Sequence, residues 1–152
     1  MRKTLFIHGL GEQAKDYHSF SRYFDIYNIN WNKSLGDQVI KIPRRYDTII
    51  GFSWGAVAAC LYAGEFPVKL LVLCSLPAGV DATYMAGLKA EKVVFLFGEK
   101  EKWMVKDNRR VVKRMKKQHP RRIVVPKEGH RISKSYLKTI LEVIKESDLS
   151  HR

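Results

Sequence analysis

The feature that most constrains this chain is a regular alternation of short apolar runs with longer amphipathic segments. Short runs of Val, Ile, Leu and Phe between stretches of helical periodicity are typical of βαβ units, whose parallel strands are covered by helices on both faces. We predict six strands, at residues 3–8, 24–30, 48–52, 69–75, 92–97 and 122–125. The expected architecture is a three-layer α/β/α sandwich around a mostly parallel sheet of about six strands.

Four segments between these strands have the periodicity of helices. They are residues 13–23, 54–66, 103–119 and 133–146. Residues 34–42 are ambiguous: Ser34-x-x-Asp37 is a helix-capping pattern, whereas Pro43 and the β-branched residues before it also fit an additional strand. Residues 80–88 are compatible with a short helix.

The size and composition of the chain narrow its class. Its 152 residues, of which 45% are hydrophobic, fit a single domain over residues 1–152 with its own core. The longest apolar runs are far shorter than the roughly 20 residues that span a bilayer, and the run before His8 is too short for a secretory signal. Cys60 and Cys74 lie in apolar stretches without metal or redox spacing, which indicates reduced thiols in a cytoplasmic protein.

The segment most informative about chemistry is Gly51-Phe52-Ser53-Trp54-Gly55, which joins a predicted strand to a predicted Ala-rich helix. This pattern has the form of a nucleophile elbow, a sharp turn that lifts a serine hydroxyl clear of the sheet. Such a turn requires very small residues two positions before and two positions after the serine. It also places Ser53 at a helix N-terminus, where free amides face a developing oxyanion.

Four motifs in chain order resemble those of the α/β-hydrolase superfamily, and the resemblance extends from residue 3 to about residue 146. The first is His8-Gly9-Leu10-Gly11 at the end of the opening strand, and the second is the elbow around Ser53. The third and fourth, Gly98-Glu99-Lys100-Glu101 and Glu128-Gly129-His130, each follow a late strand. The order serine, acid, histidine is the one this superfamily uses.

The resemblance implies a minimal α/β-hydrolase fold and a role for each motif. Ser53 would be the nucleophile and His130 the general base, while the backbone N–H groups of Leu10 and Trp54 would form the oxyanion hole. His8 is expected to be structural rather than catalytic.

The carboxylate of the expected triad is less clearly marked, because the superfamily more often uses aspartate at this position. Glu101 occupies the matching position, and arrangements with glutamate are known. Glu99 lies two residues nearer the strand. Asp81 follows the preceding strand, where some relatives place their acid. Glu101 is the favoured assignment, with Asp81 and Glu99 as alternatives.

Positive charge is concentrated in one region. The chain holds 28 Lys and Arg against 15 Asp and Glu, a formal net charge of +13, and 11 of the basic residues lie between positions 100 and 122. A helix there would turn one group of cations outward, namely Lys106, Arg109, Arg110, Lys113, Arg114, Lys116 and Lys117. Such a run is usually a solvated face, but an acidic carrier protein or an anionic membrane surface would also relieve its self-repulsion. Nucleic acid ranks last because no recognition motif is present.

The function that these observations favour is hydrolysis of a small carboxylic ester or thioester through an acyl-enzyme, without a metal or organic cofactor. Only 16 residues, 76–91, separate two late strands, too few for a lid domain. Within them, residues 77–88 either form a small cap over the site or belong to the core. The alternatives are an acyltransferase or amidase with the same triad, and a non-catalytic protein that binds anions or nucleic acid.

Overall fold

Six parallel strands form one hydrogen-bonded sheet in the computed structural model, which describes residues 3–43 and 46–150. The strands are β1 (Thr4–Ile7), β2 (Asp25–Tyr27), β3 (Thr48–Phe52), β4 (Val68–Cys74), β5 (Ala90–Gly98) and β6 (Arg121–Val125). Their order across the sheet is β2-β1-β3-β4-β5-β6, and every neighbouring pair is parallel. The carboxyl ends of all six strands therefore meet at one edge of the sheet, which confirms the predicted sheet architecture.

Consecutive strand residues point to opposite faces of this sheet, and both faces are buried. Leu5 and Ile49 belong to one apolar layer, whereas their neighbours Phe6 and Ile50 belong to the other. A strand covered on both faces needs apolar residues at every position. This requirement explains why the central strands read as continuous Val, Ile, Leu and Phe runs.

Helices cover the two faces of the sheet. The α-helices are α1 (Leu35–Val39), α2 (Trp54–Glu65), α3 (Ala82–Ala86), α4 (Lys102–Val112) and α5 (Lys134–Ser150), and two 3₁₀ helices span Ala14–Phe20 and Lys116–Gln118. The first four α-helices contribute to one apolar layer, whereas α5 and the first 3₁₀ helix contribute to the other. The result is the predicted three-layer sandwich.

Three elements are shorter or tighter than the sequence predicts. The strand expected at 24–30 is only Asp25–Tyr27, at the edge of the sheet where pairing is available on one side. The helix expected at 13–23 is a 3₁₀ helix with a kink at Tyr17. The helix expected at 103–119 ends at Val112, and a separate 3₁₀ helix over Lys116–Gln118 follows it.

The ambiguous segment at 34–42 is helical. Ser34 Oγ accepts a hydrogen bond from the backbone N–H of Asp37 at 3.3 Å, which caps the short helix α1. The interpretation as a capping pattern is therefore confirmed, and the alternative of an additional strand is wrong. A cap of this kind satisfies an amide that has no partner within the helix.

The segment at 77–88 packs into the core rather than over the carboxyl edge of the sheet. Met85 and Leu88 are buried in the apolar layer that also contains α2. The hydroxyl of Tyr84 donates to the backbone oxygen of Cys60 in α2 at 3.3 Å. Of the two alternatives for this segment, the structure supports the core.

Both cysteines are buried free thiols, as the sequence indicates. Burial raises the pKa of Cys60 from 9.0 to about 12, and that of Cys74 also rises for the same reason. Within residues 3–43 and 46–150, no helix has the length and apolar character needed to cross a membrane. Over the same residues, no group of three His, Cys, Asp or Glu side chains is arranged to hold a metal ion.

Candidate active site

The turn between β3 and α2 holds Ser53 in a strained backbone conformation, with φ 56° and ψ −122°. Two glycines make room for this turn. A Cβ on Gly51 would overlap the backbone of Gly55 and Ala56, and a Cβ on Gly55 would overlap the backbone oxygens of Ile7 and His8. The small residues at these two positions are therefore required by close backbone approach, as expected for an elbow.

The neighbouring turn after β1 is held in place by the buried side chain of His8. The backbone N–H of Ile29 donates to His8 Nε2 at 3.0 Å, so this nitrogen carries no proton. The proton is therefore on Nδ1, which donates to the backbone oxygen of Gly9 at 3.0 Å. His8 thus links the end of β1 to the segment after β2, which is the structural role expected of it.

Three side chains from three different strand ends meet at the carboxyl edge of the sheet. His130 Nε2 lies 3.0 Å from Ser53 Oγ, and His130 Nδ1 lies 2.7 Å from Glu101 Oε2. The imidazole is 46% exposed, whereas the carboxylate is only 4% exposed. The ring of His130 also packs on Phe52, with the ring centroids 5.1 Å apart. The structure therefore brings together the three residues that the sequence assigned to a triad.

The buried carboxylate of Glu101 has partners for both of its oxygens. Its Oε1 atom accepts hydrogen bonds from the backbone N–H of Gly98 at 2.9 Å and from the hydroxyl of Ser75 at 2.7 Å. Its Oε2 atom is left for His130. A carboxylate bound in this way has a fixed orientation, which suits it to hold an imidazole in one tautomer.

Glu99 braces the turn before His130 rather than contacting the imidazole. Its carboxylate accepts a hydrogen bond from the backbone N–H of Lys127 at 3.1 Å. Its own backbone N–H donates to Val125, and the N–H of Lys100 donates to Glu128, both at 2.9 Å. The turn that carries the acid and the turn that carries the histidine are therefore joined by three hydrogen bonds.

Asp81, the other alternative acid, has a different partner. Its carboxylate accepts a hydrogen bond from the backbone N–H of Tyr84 at 2.8 Å and so caps the N-terminus of α3. Of the three acids considered from the sequence, Glu101 is the one that the structure places on His130.

The two amides expected to stabilise an oxyanion lie on the turns that flank Ser53. Trp54 is the first residue of α2, where an N–H has no partner within the helix, and Leu10 lies in the turn that follows β1. Neither amide takes part in the turn, loop and capping hydrogen bonds found between backbone groups of the described residues. Their side chains are exposed, Leu10 by 57% and Trp54 by 46%.

Several solved structures have a similar arrangement of strands and helices. A dienelactone hydrolase from Anabaena variabilis is 15% identical, with a TM-score of 0.73 over 99% of this chain and 86% of that one. NosK from Streptomyces actuosus is 14% identical, with a TM-score of 0.73 over the whole of both chains. An esterase domain from Rhodothermus marinus is 13% identical, with a TM-score of 0.69 over 94% and 84%. This chain has the α/β-hydrolase fold.

At these identities the structural likeness establishes the fold alone. No protein-family model matches the sequence, and no curated protein matches it significantly. The assignment of chemistry within this α/β-hydrolase fold therefore depends on the geometry of the site.

The cations predicted to face outward do so, although they extend beyond the end of α4. All seven are exposed and together they form what we call the basic surface, made of Lys106, Arg109, Arg110, Lys113, Arg114, Lys116 and Lys117. Arg110 also donates to the backbone oxygen of Val80 at 3.0 Å and pairs with Asp107 at 3.9 Å. It is the one member of this surface with an ion pair among the described residues.

A further arginine adds to the positive field beside this surface. The guanidinium of Arg122 donates to the backbone oxygen of Val105 at 2.8 Å, which places it against α4. Burial, together with the nearby charge of Arg109, lowers the pKa of Arg122. Positive charge in this region is therefore poorly compensated by acidic groups.

Sequence reasoning missed two polar residues of the site, Ser75 and Tyr136. Both are fully buried, and their hydroxyls lie 3.0 Å apart behind Glu101. The available signal for Ser75 is its position, since it directly follows an apolar strand at the carboxyl edge of a parallel sheet. Tyr136 gives no such signal, because its spacing in α5 is that of an ordinary core residue.

Proposed function

We propose that this protein is a serine hydrolase that cleaves a carboxylic ester or thioester through an acyl-enzyme on Ser53. The observation that carries the proposal is the continuous chain of hydrogen bonds from Ser53 Oγ to His130 and from His130 to the buried carboxylate of Glu101. Similarity to structures named as a dienelactone hydrolase and an esterase domain supports hydrolysis as the class of reaction.

The proposed reaction begins with proton transfer from Ser53 to His130. Ser53 Oγ attacks the acyl carbonyl while His130 Nε2 takes the hydroxyl proton, forming a tetrahedral intermediate and an imidazolium. Glu101 accepts the Nδ1–H hydrogen bond and stabilises the positive ring. His130 then gives its proton to the leaving alcohol or thiol, and water repeats the sequence to release the acid from Ser53.

The developing negative charge on the carbonyl oxygen needs hydrogen-bond donors. We assign this role to the backbone N–H groups of Leu10 and Trp54, which flank Ser53 and have no backbone acceptor among the described residues. Trp54 adds the positive end of the α2 dipole, because it is the first residue of that helix.

The surroundings of Ser53 favour a small or loosely held acyl group. The segment at 77–88 is packed into the core, and His130 is nearly half exposed. Leu10 and Trp54 present exposed apolar side chains beside the nucleophile, where they would contact an acyl chain. An acyl-enzyme in such an open site is also accessible to an acceptor other than water, so acyl transfer remains the second reading of the same chemistry.

For the basic surface we propose an acidic carrier protein that delivers the acyl group. Glu101 directly precedes α4, and the first cation of the basic surface, Lys106, lies in that helix five residues farther along the chain. Six of the seven have no ion pair among the described residues, which leaves a field that attracts an acidic partner.

The test of the proposed function is labelling with a fluorophosphonate, which reacts with an activated serine irrespective of its natural substrate. The wild-type protein should be labelled and should hydrolyse p-nitrophenyl acetate, and Ser53→Ala should lose both properties while it keeps its thermal stability. Ser21→Ala is the matched control, because Ser21 is exposed and bonded only to its own turn. Undiminished hydrolysis in Ser53→Ala would overturn the proposal.

Water and other acceptors are distinguished in the same assay. Adding a primary alcohol or amine to the ester reaction leaves the rate of acid release unchanged if water is the acceptor. Formation of the new ester or amide at the expense of free acid would instead assign an acyltransferase.

A further inference from the structure

Behind Glu101 lies a small network of buried hydroxyl groups. Ser75 Oγ donates to Glu101 Oε1 at 2.7 Å and lies 3.0 Å from the hydroxyl of Tyr136. The Tyr136 hydroxyl lies 2.9 Å from the backbone oxygen of Leu96. We propose that Ser75, oriented by Tyr136, is a positioning residue that holds the Glu101 carboxylate in register with His130. This inference rests on the proposed function, because it concerns the acid of the same triad.

The direction of the hydrogen bonds follows from counting protons. An ionised carboxylate only accepts, so the single proton of the Ser75 hydroxyl goes to Glu101. Tyr136 must then be the donor across the 3.0 Å contact, and it shares its proton between Ser75 Oγ and the oxygen of Leu96. Burial raises the pKa of Tyr136 well above its usual value, which keeps that proton in place.

The backbone around Ser75 also couples it to the site. Ser75 directly follows β4, which lies between the strand that leads to Ser53 and the strand that leads to Glu101. Its own N–H donates to Leu96 in β5, and the preceding residue, Cys74, accepts the N–H of Ser53, both at 2.8 Å. A shift of this segment would therefore move the nucleophile and the acid together.

The conformation of Ser75 favours a role for its side chain. Its φ angle is +51°, a region that glycine adopts freely and other residues adopt at a steric cost. Glycine would adopt this conformation with less strain than the fully buried Ser75. The hydrogen bond from the Ser75 hydroxyl to Glu101 therefore offsets the steric cost. Strained residues of this kind concentrate at functional sites.

The consequence for the carboxylate is a fixed rotation. Ser75 and the N–H of Gly98 together hold Oε1, so Oε2 alone is directed to His130. Without the hydroxyl, Oε1 keeps one donor and the carboxylate gains freedom to rotate about its terminal bond. A poorly oriented acid stabilises the imidazolium less, while substrate binding is unaffected because Ser75 lies behind the triad.

The first test compares Ser75→Ala with a matched control, Ser147→Ala. Ser147 is also buried, but it lies in α5 near the amino ends of β5 and β6, away from the triad. Ser75→Ala should lower kcat for p-nitrophenyl acetate by about 10- to 100-fold with KM unchanged, the usual effect of losing a residue that orients a catalytic group. Ser75→Gly relieves the strained backbone and serves the same purpose if the alanine variant does not fold.

The second test asks whether Ser75 acts through Glu101. In a Glu101→Gln background, Ser75→Ala should lower kcat no further, because the carboxylate that it positions is already gone. Equal losses from Ser75→Ala in both backgrounds would assign it a merely structural role and overturn the proposal.

A measurement independent of turnover separates this inference from the proposed function. The proton on His130 Nδ1 gives a downfield NMR resonance when it is hydrogen-bonded to a carboxylate, and this resonance should move in Ser75→Ala and Tyr136→Phe but not in Ser147→Ala. An unmoved resonance would overturn the positioning role even if Ser53 is labelled by a fluorophosphonate. Absence of labelling in the wild-type protein would instead overturn the hydrolase assignment, whatever the resonance does.

Discussion

Gly55 lies directly against the backbone carbonyl of His8, with no space between them for a side chain. This contact presses the turn that carries Ser53 onto the turn that carries Leu10. Ser53, the proposed nucleophile, and the proposed oxyanion amide of Leu10 are therefore positioned by one backbone contact rather than by flexible side chains. Sites built on such rigid elements keep their geometry without help from the substrate.

The first prediction concerns this contact. Gly55→Ala should reduce the free energy of unfolding by about 1–3 kcal/mol, because the new Cβ meets rigid backbone and forces the two turns apart. Gly36→Ala is the control, since Gly36 is in α1 with nothing near the position of its Cβ, and it should raise stability by about 0.5–1 kcal/mol. Urea unfolding of both variants measures the difference. Equal stability of the two variants would mean that the turns do not touch.

The second prediction concerns the choice of acid. Glu101→Gln preserves shape but removes the charge that stabilises the imidazolium, so kcat should fall by about 10²–10⁴-fold. Glu99→Gln should change kcat by less than about threefold, since the amide oxygen can still accept the N–H of Lys127 and the effect of an exposed residue is usually small. Steady-state hydrolysis of p-nitrophenyl acetate tests both. A larger loss in Glu99→Gln would move the acid to that position.

The proposed triad could be predicted from the sequence because each member lies in the turn that follows a strand, and parallel strands bring their carboxyl ends to one edge. Ser53 and His130 needed only this topology, together with the glycines that surround the nucleophile. The choice among Glu101, Glu99 and Asp81 could not be made in this way, because all three follow strands. It depends on which carboxylate is directed at His130, which the sequence pattern does not specify; Asp81 instead caps the N-terminus of α3.

The buried hydroxyl groups that support Glu101 could not be predicted from the sequence for a related reason. Ser75 and Tyr136 are 61 positions apart in the chain and meet only because α5 packs on the face of the sheet that contains Cys74 and Leu96. Periodicity identifies Tyr136 as a core residue but says nothing of where its hydroxyl points. Local pattern likewise overestimated the length of α4, which ends at Val112 although the buried apolar spacing continues to Met115.

The third prediction follows from the raised pKa of Cys60. The folded protein keeps this thiol protonated up to about pH 12, whereas the unfolded chain releases the proton near pH 9.0. The folded state thus binds more protons in this interval. The stability that this thiol contributes is therefore fully present below pH 9 and is lost as the pH rises toward 12. Between these two pH values, titration of this thiol should raise the unfolding equilibrium constant by about tenfold per pH unit.

Urea unfolding at several pH values tests the effect with Cys60→Ala as the reference. The stability difference between the wild-type protein and Cys60→Ala should shrink as the pH increases above 9, because only the wild type has this thiol to titrate. The lysines and tyrosines titrate equally in both proteins, so their effects cancel in the stability difference. A constant difference up to pH 11 would show that the thiol of Cys60 is not protected by burial.

The last prediction concerns the basic surface and the proposed acidic carrier. Lys106→Glu combined with Lys113→Glu should lower kcat/KM by about tenfold or more at low salt for an acyl group attached to an acidic carrier protein, because surface charge governs encounter. Arg110 is a poor choice for this test, since it also bonds to Val80 and holds α4 to the preceding loop.

Hydrolysis of a small neutral ester by the same double variant should be unchanged, because exposed charges act over about one Debye length, roughly 8–10 Å, and alter encounter rather than chemistry. Lys138→Glu with Lys145→Glu is the matched control: both lysines are exposed on α5, which covers the other face of the sheet, and the net charge changes equally. This control should retain most of its activity on the carrier-bound substrate. Equal losses in the two double variants would assign the effect to net charge, and equal losses on neutral and carrier-bound substrates would assign it to the geometry of the site. Only a loss confined to the carrier-bound substrate and to the α4 variant, and diminished by added salt, identifies the basic surface as the docking site.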